Sequence, residues 1–172
     1  HSMIGLSPWL VFAEGIAINL NWSIGFATFA CSVGVLLIWL PLRQQPGVGT
    51  ILNIVIIAGT IDLSMYLFDF STSSYFINLI VGSLGVILVG LGSGIYLTAN
   101  LGPGPRDGLM TGLQRFTQYP IAWVRVSIEV SVVGVGWILG GTVGLGTLLF
   151  AFGIGPAVAF GLHFVAKVNK KN

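Results

Sequence analysis

The feature that most constrains this chain is a second copy of its own residue pattern, 97 residues further along. With this shift and no gaps, several residues recur, and most of them are glycines and prolines, which fix special backbone geometry. They are Gly5, Pro8, Gly15, Gly47, Gly49 and Thr50, which fall on Gly102, Pro105, Gly112, Gly144, Gly146 and Thr147. Glycine and proline have distinctive backbone requirements, so matches at these residues indicate a shared fold. The sequence therefore predicts two related halves, residues 1–70 and residues 71–172.

The composition of the chain is typical of an integral membrane protein. Hydrophobic residues make up 55% of the chain and charged residues only 7%, with a mean hydropathy of +0.95. An ordinary soluble domain has about 25% charged residues. A net charge of +2 is too small to indicate nucleic-acid binding. No catalytic triad, metal-spaced cluster or phosphate loop is present in the sequence, so we expect no enzyme activity, no metal and no cofactor.

Five apolar segments approach the roughly 20 helical residues that cross a bilayer. They are Ile24–Leu42, Thr50–Phe70, Tyr75–Ala99, Ile121–Leu139 and Gly146–Ala166. Two stretches between them, Pro8–Leu20 and Pro105–Thr117, begin with proline as helices often do, but they are too short to span. Pro156, in the middle of the last segment, predicts a kink or a break in that helix.

Each repeat is predicted to contain a spanning helix, a short helix and two further spanning helices. The second repeat is complete, whereas the first lacks its opening span, which we expect upstream in the natural protein; His1-Ser2-Met3 is alternatively a vector remnant. Because each repeat holds three spans, an odd number, the two copies must face opposite ways across the membrane. The predicted fold is an all-α membrane protein, one membrane domain built from two inverted repeats.

The basic residues outside the spans predict the same arrangement. The positive-inside rule places them together in the cytoplasm with both ends of the protein. They are Arg43, Arg106, Arg115, Lys167, Lys170 and Lys171, while the opposite connections, Asp69–Ser74 and Gly140–Val143, contain no lysine or arginine. Aromatic residues predicted to anchor helix ends at the membrane surface are Trp22, Trp39, Tyr75 and Tyr119.

Polar residues within the predicted helices are the candidates for binding a solute, because charges at membrane depth are costly unless paired or hydrated. The candidates are Glu14, Asn53, Asp62, Arg106, Asp107, Arg125 and Glu129. Arg125 and Glu129 are four residues apart on one helix and can neutralise each other. Each candidate also has a structural interpretation. These are a helix clasp for Arg125 and Glu129, a helix-end carboxylate for Asp62, a water-boundary position for Glu14, and an interhelical hydrogen bond for Asn53.

The turn Gly102–Gly108 precedes and opens a short helix. Alternating glycine and proline make it stiff and free of bulk, and a side chain at Gly104 is expected to block close approach and strain the turn. The free N–H groups of a helix start attract anions, and Arg106 adds positive charge there. Asp107 either completes this helix start by itself, or the helix tip points at an anionic group of a solute.

This turn also carries a family resemblance. The segments Leu101–Leu113, Gly5–Trp9, Pro41–Thr50 and Gly140–Thr147 resemble the YczE-like family of bacterial integral membrane proteins. The resemblance implies a multi-pass protein of the bacterial inner membrane, with six spans preceded by a helix this chain lacks, commonly considered a transporter. Members of that family often have an acidic residue where this chain has Leu10, so Asp107 here lacks a carboxylate at the equivalent position.

These observations predict a membrane carrier of a small polar or anionic solute, working by alternating access between the repeats. A non-transporting accessory or scaffold protein and the substrate-binding subunit of a larger transporter are alternative interpretations. The expected partners are membrane lipids, the solute, and a second copy or a partner subunit. A C-terminus in the cytoplasm completes the predicted topology.

Overall fold

The computed structural model describes residues 4–67 and 74–169, with side chains as far as Lys167. Regular structure in these residues is entirely helical. The helices are α1 (Pro8–Leu20), α2 (Ile24–Trp39), α3 (Val48–Leu67), α4 (Tyr75–Thr98), α5 (Pro105–Thr117), α6 (Ile121–Ile138) and α7 (Leu145–Asn169). The two short helices have the bounds that the sequence predicts, which confirms them.

Four of the described helices, α3, α4, α6 and α7, are long and apolar enough to cross a membrane. Helix α2 has 16 residues, so it is shorter than the predicted span Ile24–Leu42. It ends early because Pro41 has no N–H for the next helical hydrogen bond, and the chain turns instead with Arg43 at a φ of 52°. Helices α1 and α2 are long and apolar enough to cross a membrane only when they are taken together, and they are bent by 113° relative to each other. Helix α7 continues through Pro156, so a break there is excluded and the kink stays a prediction.

The described helices belong to two compact units. Helices α4 and α7, with residues 4–7, form the two-helix unit, and α1, α2, α3, α5 and α6 form the five-helix unit. Each unit takes residues from both halves of the sequence.

In the two-helix unit, α4 and α7 pack through small residues. A Cβ on Gly90 would overlap Ala157, and one on Gly94 would lie 2.8 Å from the Gly161 Cα. The contacting residue numbers rise together on the two helices, so α4 and α7 run parallel. Close backbone approach of this kind is how helices associate in lipid, where the hydrophobic effect between them is absent.

In the five-helix unit, α1 packs on the end of α6. A Cβ on Gly15 would lie 2.7 Å from both the Gly136 carbonyl oxygen and the Leu139 Cβ, and one on Gly136 would lie 2.6 Å from the Phe12 nitrogen. The Asn19 amide nitrogen donates to the carbonyl oxygens of Gly15 and Leu139, at 2.8 Å each. The contact therefore depends on two glycines that allow the backbones to approach each other.

The second contact in this unit joins α5 to α2. Gly108 lies against the indole of Trp39, which a Cβ at that position would overlap. Trp39 is 1% exposed and shares a core with Val35 and Leu109. The prediction that Trp39 anchors a helix at the membrane surface is therefore wrong, because a glycine on α5 makes room for the ring inside the protein.

The 97-residue repeat extends to local backbone conformation. Three pairs of residues at this spacing have a positive φ: Asn21 and Gln118, Arg43 and Gly140, and Gly5 and Gly102. Asn100 also has a positive φ, and its counterpart lies outside the described residues. The chain thus turns in the same way at equivalent points of both repeats.

Candidate functional site

The candidate site is the N-terminal end of α5. Gly104 is the residue before the helix, Pro105 opens it, and Arg106 and Asp107 lie in its first turn. The Arg106 Nε lies 3.9 Å from the Asp107 Oδ1, and the two side chains are 25% and 42% exposed. The pair is therefore loose and accessible, at a helix end whose N–H groups and dipole favour negative charge.

Asn53 of α3 lies at the same place. A Cβ on Gly104 would lie 3.5 Å from both the Asn53 Oδ1 and the Asp107 Oδ2. Two oxygens from two helices therefore face one point beside the arginine. The structure brings Asn53, Arg106 and Asp107 together, three of the seven predicted site residues.

The turn before α5 is bound to the start of α3 by a set of hydrogen bonds that we call the Thr50 clamp. The Gly49 N–H donates to the Leu101 carbonyl oxygen at 2.8 Å. The Thr50 Oγ1 accepts from the Gly47 N–H at 3.2 Å and donates to the Pro103 carbonyl oxygen at 2.7 Å. Thr50 is fully buried. The clamp holds the site in place through backbone groups of the turn and the short, buried side chain of Thr50.

Two further features hold the turn. The Trp39 Nε1 donates a buried hydrogen bond to the Pro105 carbonyl oxygen at 3.1 Å, which ties α2 to the first residue of α5. Gly102 has a φ of 109°, and a Cβ there would lie 2.8 Å from the Thr50 Oγ1. Gly104 has a φ of −60°, which any residue can adopt. The predicted strain at Gly104 is therefore wrong, because the backbone requirement for glycine lies two residues earlier.

The two-helix unit contains an equivalent clamp. The Gly144 N–H donates to the Thr147 Oγ1 at 3.2 Å, and the Gly146 N–H donates to the Ile4 carbonyl oxygen. Gly5 has a φ of 90°, and a Cβ there would lie 2.7 Å from the Thr147 Oγ1. Sequence reasoning found these glycines and threonines as repeat matches but missed that they bind a turn to a helix start.

The charged pair of the site occurs in only one repeat. Trp9 and Leu10 stand at the positions equivalent to Arg106 and Asp107. The Trp9 Nε1 is buried and has no hydrogen-bond partner among the described residues. The start of α1 is therefore the uncharged counterpart of the α5 site.

Two other predicted site carboxylates tie helices together. Glu14 is 3% exposed and accepts a hydrogen bond from the Thr142 N–H at 2.6 Å, which joins α1 to the connection after α6. Asp62 accepts from the Ser23 hydroxyl at 2.6 Å and from the Gly25 N–H at 2.7 Å, at the start of α2. These bonds match the helix-end interpretation of Asp62, and a role in binding solute stays a prediction for both residues.

Arg125 and Glu129 form the ion pair that their spacing predicts. The Arg125 Nε lies 3.3 Å from the Glu129 Oε1, and the side chains are 36% and 12% exposed. Their counterparts in the first repeat, Thr28 and Ser32, donate to carbonyl oxygens of their own helix instead. The pairing is confirmed, and a part in solute binding stays a prediction.

An open groove of about 450 Å³ lies where α5 meets α6. Its lining is mostly apolar and consists of Leu113, Thr117, Tyr119, Pro120, Trp123, Val124 and Ser127. It contains none of the seven predicted site residues.

Comparison with known proteins places the chain in a family. A family of unknown function (DUF6198) matches residues 1–163. The chain belongs to this family. An uncharacterized protein of Haemophilus influenzae is 43% identical over 167 residues, which are 97% of this chain and 76% of that protein. The uncharacterized membrane protein YczE of Bacillus subtilis is 35% identical over 162 residues, 92% of this chain and 74% of that protein. No solved structure matches.

The relationship to YczE confirms the resemblance found in the sequence and the membrane character of the chain. The matching regions include both clamps and the α5 site, since the family match runs from residue 1 to residue 163. The names of these relatives state no activity, so the site is interpreted from its own chemistry.

We expect unequal effects when the two halves of the ion pair in this DUF6198 protein are removed separately. Arg125→Met leaves Glu129, which is 12% exposed, as an unpaired carboxylate. Breaking a fully buried pair costs about 3–5 kcal/mol, and the partial exposure here reduces that to about 1–3 kcal/mol. Glu129→Leu should cost less, because Arg125 is 36% exposed and can reach water. Thermal unfolding in detergent measures both changes.

The double variant, Arg125→Met with Glu129→Leu, should recover much of the lost stability because no unpaired charge remains. Single substitutions that leave the unfolding temperature unchanged would show that both charges are independently hydrated.

Proposed function

We propose that this protein is a carrier of a small polar or anionic solute, working by alternating access between two inverted repeats. The observation that supports it most is the start of α5. There Arg106, Asp107 and Asn53 surround the tip of a short helix. The Trp39 and Thr50 side chains fix this tip to α2 and α3 by hydrogen bonds to the carbonyl oxygens of Pro105 and Pro103.

The chemistry of this site favours a solute with an anionic group. A helix start presents N–H groups that act as a partial positive charge, and Arg106 adds a full one. The oxygens of Asn53 and Asp107 can accept hydrogen bonds from N–H or O–H groups elsewhere on the same solute. In membrane carriers, helix ends of this kind bind anionic groups of substrates.

The test is ligand binding by purified protein with and without Arg106. Phosphate, sulfate, small carboxylates and amino acids serve as probes, and the shift in unfolding temperature reports binding. Arg106→Gln should weaken the binding of a probe that stabilises the wild type by roughly tenfold to a hundredfold. This is the value of one charge-assisted hydrogen bond, about 1.5–3 kcal/mol.

Arg115→Gln is the matched control, because Arg115 lies in the last turn of the same helix and is exposed. It should leave affinity unchanged. Equal ligand shifts in the wild type and in the Arg106 variant would remove the start of α5 from the binding site. Uptake of the best probe into vesicles with reconstituted protein then separates a carrier from an accessory protein, which binds without transporting.

The proposed orientation places the C-terminus in the cytoplasm of a bacterial cell, with the protein in the inner membrane. The parallel packing of α4 and α7 supports it, since both helices then run towards the side where the positive-inside rule places Arg106 and Lys167.

Single-cysteine labelling checks this topology in a Cys31→Ala background. A cysteine at Ser74, just before α4, should react with a membrane-impermeant maleimide added to intact cells. A cysteine at Gln45, after α2, should react only when the membrane is opened. Reaction of both from the same side would contradict inverted repeats.

A further inference from the structure

One face of α3 is exposed although its counterpart in the second repeat is packed. Gly25 of α2 lies against Ala58 and Asp62 of α3. On the opposite side of α3, Ile56 and Leu63 are 59% and 56% exposed. In the part of the chain that the structure describes, this face contacts no other helix closely, and a Cβ on the neighbouring Gly59 would have nothing within 4 Å.

The second repeat shows what such a face binds. Helix α7 is the repeat counterpart of α3, since Leu145 and Val48 begin the two helices 97 residues apart. On α7, Ala157 and Gly161 receive Gly90 and Gly94 of the parallel helix α4.

The equivalent surface on α3 can be assigned residue by residue. Counterparts of the α7 residues Gly153, Ala157 and Gly161 are Ile56, Thr60 and Ser64. We call these three residues the α3 ridge. They follow one another at four-residue spacing, so they lie along one side of the helix, and that side includes the exposed Ile56.

We propose that the α3 ridge binds a membrane-spanning helix that runs parallel to α3, the first-repeat counterpart of α4, supplied by the residues that precede Ile4 in the natural protein. The matched residues are 76% and 74% of the two relatives, which leaves roughly fifty residues of each outside the match, more than the roughly 20 a spanning helix needs. The inference rests on the repeat and these lengths, and it does not depend on solute transport.

The chemistry of the ridge indicates where the contact is closest. Ile56 is bulkier than its counterpart Gly153, so the helices should diverge at that end. Thr60 and Ser64 are small and have hydroxyl groups, which allow close approach and hydrogen bonds between helices in lipid. The helix that binds should therefore have small residues opposite Thr60 and Ser64.

Paired cysteines test the proposal in the protein expressed with its native residues before Ile4, in a Cys31→Ala background. In the second repeat, Gly90 of α4 faces Ala157 of α7. Gly90 lies eleven residues before Leu101, and Leu101 is the repeat counterpart of Ile4. Thr60→Cys should therefore form a disulfide on oxidation in membranes with a cysteine placed eleven residues before Ile4. Gly94 gives the second pair, Ser64→Cys with a cysteine seven residues before Ile4.

Val55→Cys is the control, because Val55 is 55% exposed on a different side of α3 and should not link to either upstream cysteine. Mass spectrometry of the linked peptides identifies the product, since disulfides require Cα atoms within about 7 Å. Two results would overturn the proposal. One is an absence of both links while all the cysteines still react with maleimide. The other is a disulfide-linked dimer from Thr60→Cys alone, which would show that a second copy covers the ridge.

Discussion

Gly102→Val should strongly destabilise the protein in detergent, whereas the same substitution two residues later should be tolerated. Gly102 has a φ of 109°, where a side chain is strained by about 1–3 kcal/mol. Its Cβ would also lie 2.8 Å from the Gly47 Cα and the Thr50 Oγ1, and overpacking of this kind costs about 1–3 kcal/mol more. We expect the unfolding temperature to fall by on the order of 10 °C or more.

Gly104→Val is the matched control for this prediction. Its φ of −60° and ψ of 157° suit a β-branched residue, and its Cβ would meet only the side-chain atoms of Asn53 and Asp107, at 3.5 Å or more. It should leave the unfolding temperature near that of the wild type while it weakens ligand binding, because it fills the space between the two oxygens. Equal destabilisation by both valines would show that the clamp tolerates no change anywhere in the turn.

Gly108→Val should have the second large effect, because it acts where α5 meets α2. A Cβ there would overlap the Trp39 indole, which is 1% exposed. The helices would have to separate, and the hydrogen bond from the Trp39 Nε1 to the Pro105 carbonyl oxygen would be lost. The expected cost is on the order of 3 kcal/mol, the upper part of the range for overpacked cores.

A second substitution tests the cause. Trp39→Leu alone should destabilise by about 3 kcal/mol, since it removes a large buried side chain. Combined with Gly108→Val it should cost much less than the sum of the two, because the leucine leaves room for the valine. Additive losses in this double-mutant cycle would show that the two residues do not share one packing site.

The helices were predictable because their limits depend on local chemistry. Pro8 and Pro105 open the short helices and apolar runs define the long ones, and the structure keeps these limits to within a few residues. The end of α2 was misjudged because the apolar run continues past Pro41. Hydropathy alone predicts a longer helix, but the proline has no N–H to continue the helical hydrogen bonds. At Pro156 the opposite is found, because the proline lies inside α7 and the helix continues past it.

The site was only partly predictable, because its geometry depends on contacts between distant segments. Arg106 and Asp107 could be chosen from the helix start, and Arg125 with Glu129 from their spacing. The roles of Thr50 and Trp39 depend on partners 53 and 66 residues away, and no local pattern reports such contacts. The repeat was the one signal available for Thr50, which matches Thr147. In both copies the threonine Oγ1 accepts a hydrogen bond from a glycine N–H.

The packing of α5 on α2 and of α1 on α6 has a consequence for how the two halves could have diverged. In the first contact the large side chain is on the longer helix α2, where Trp39 faces Gly108 of the short helix α5. In the second it is on the short helix, where Val11 and Phe12 face Gly136, the counterpart of Trp39. A protein assembled from two copies of the first half would press a tryptophan against a valine, and one assembled from two second halves would leave glycine facing glycine across a void. Neither half can therefore replace the other, and a subunit made of one half alone could not pair with itself in this arrangement.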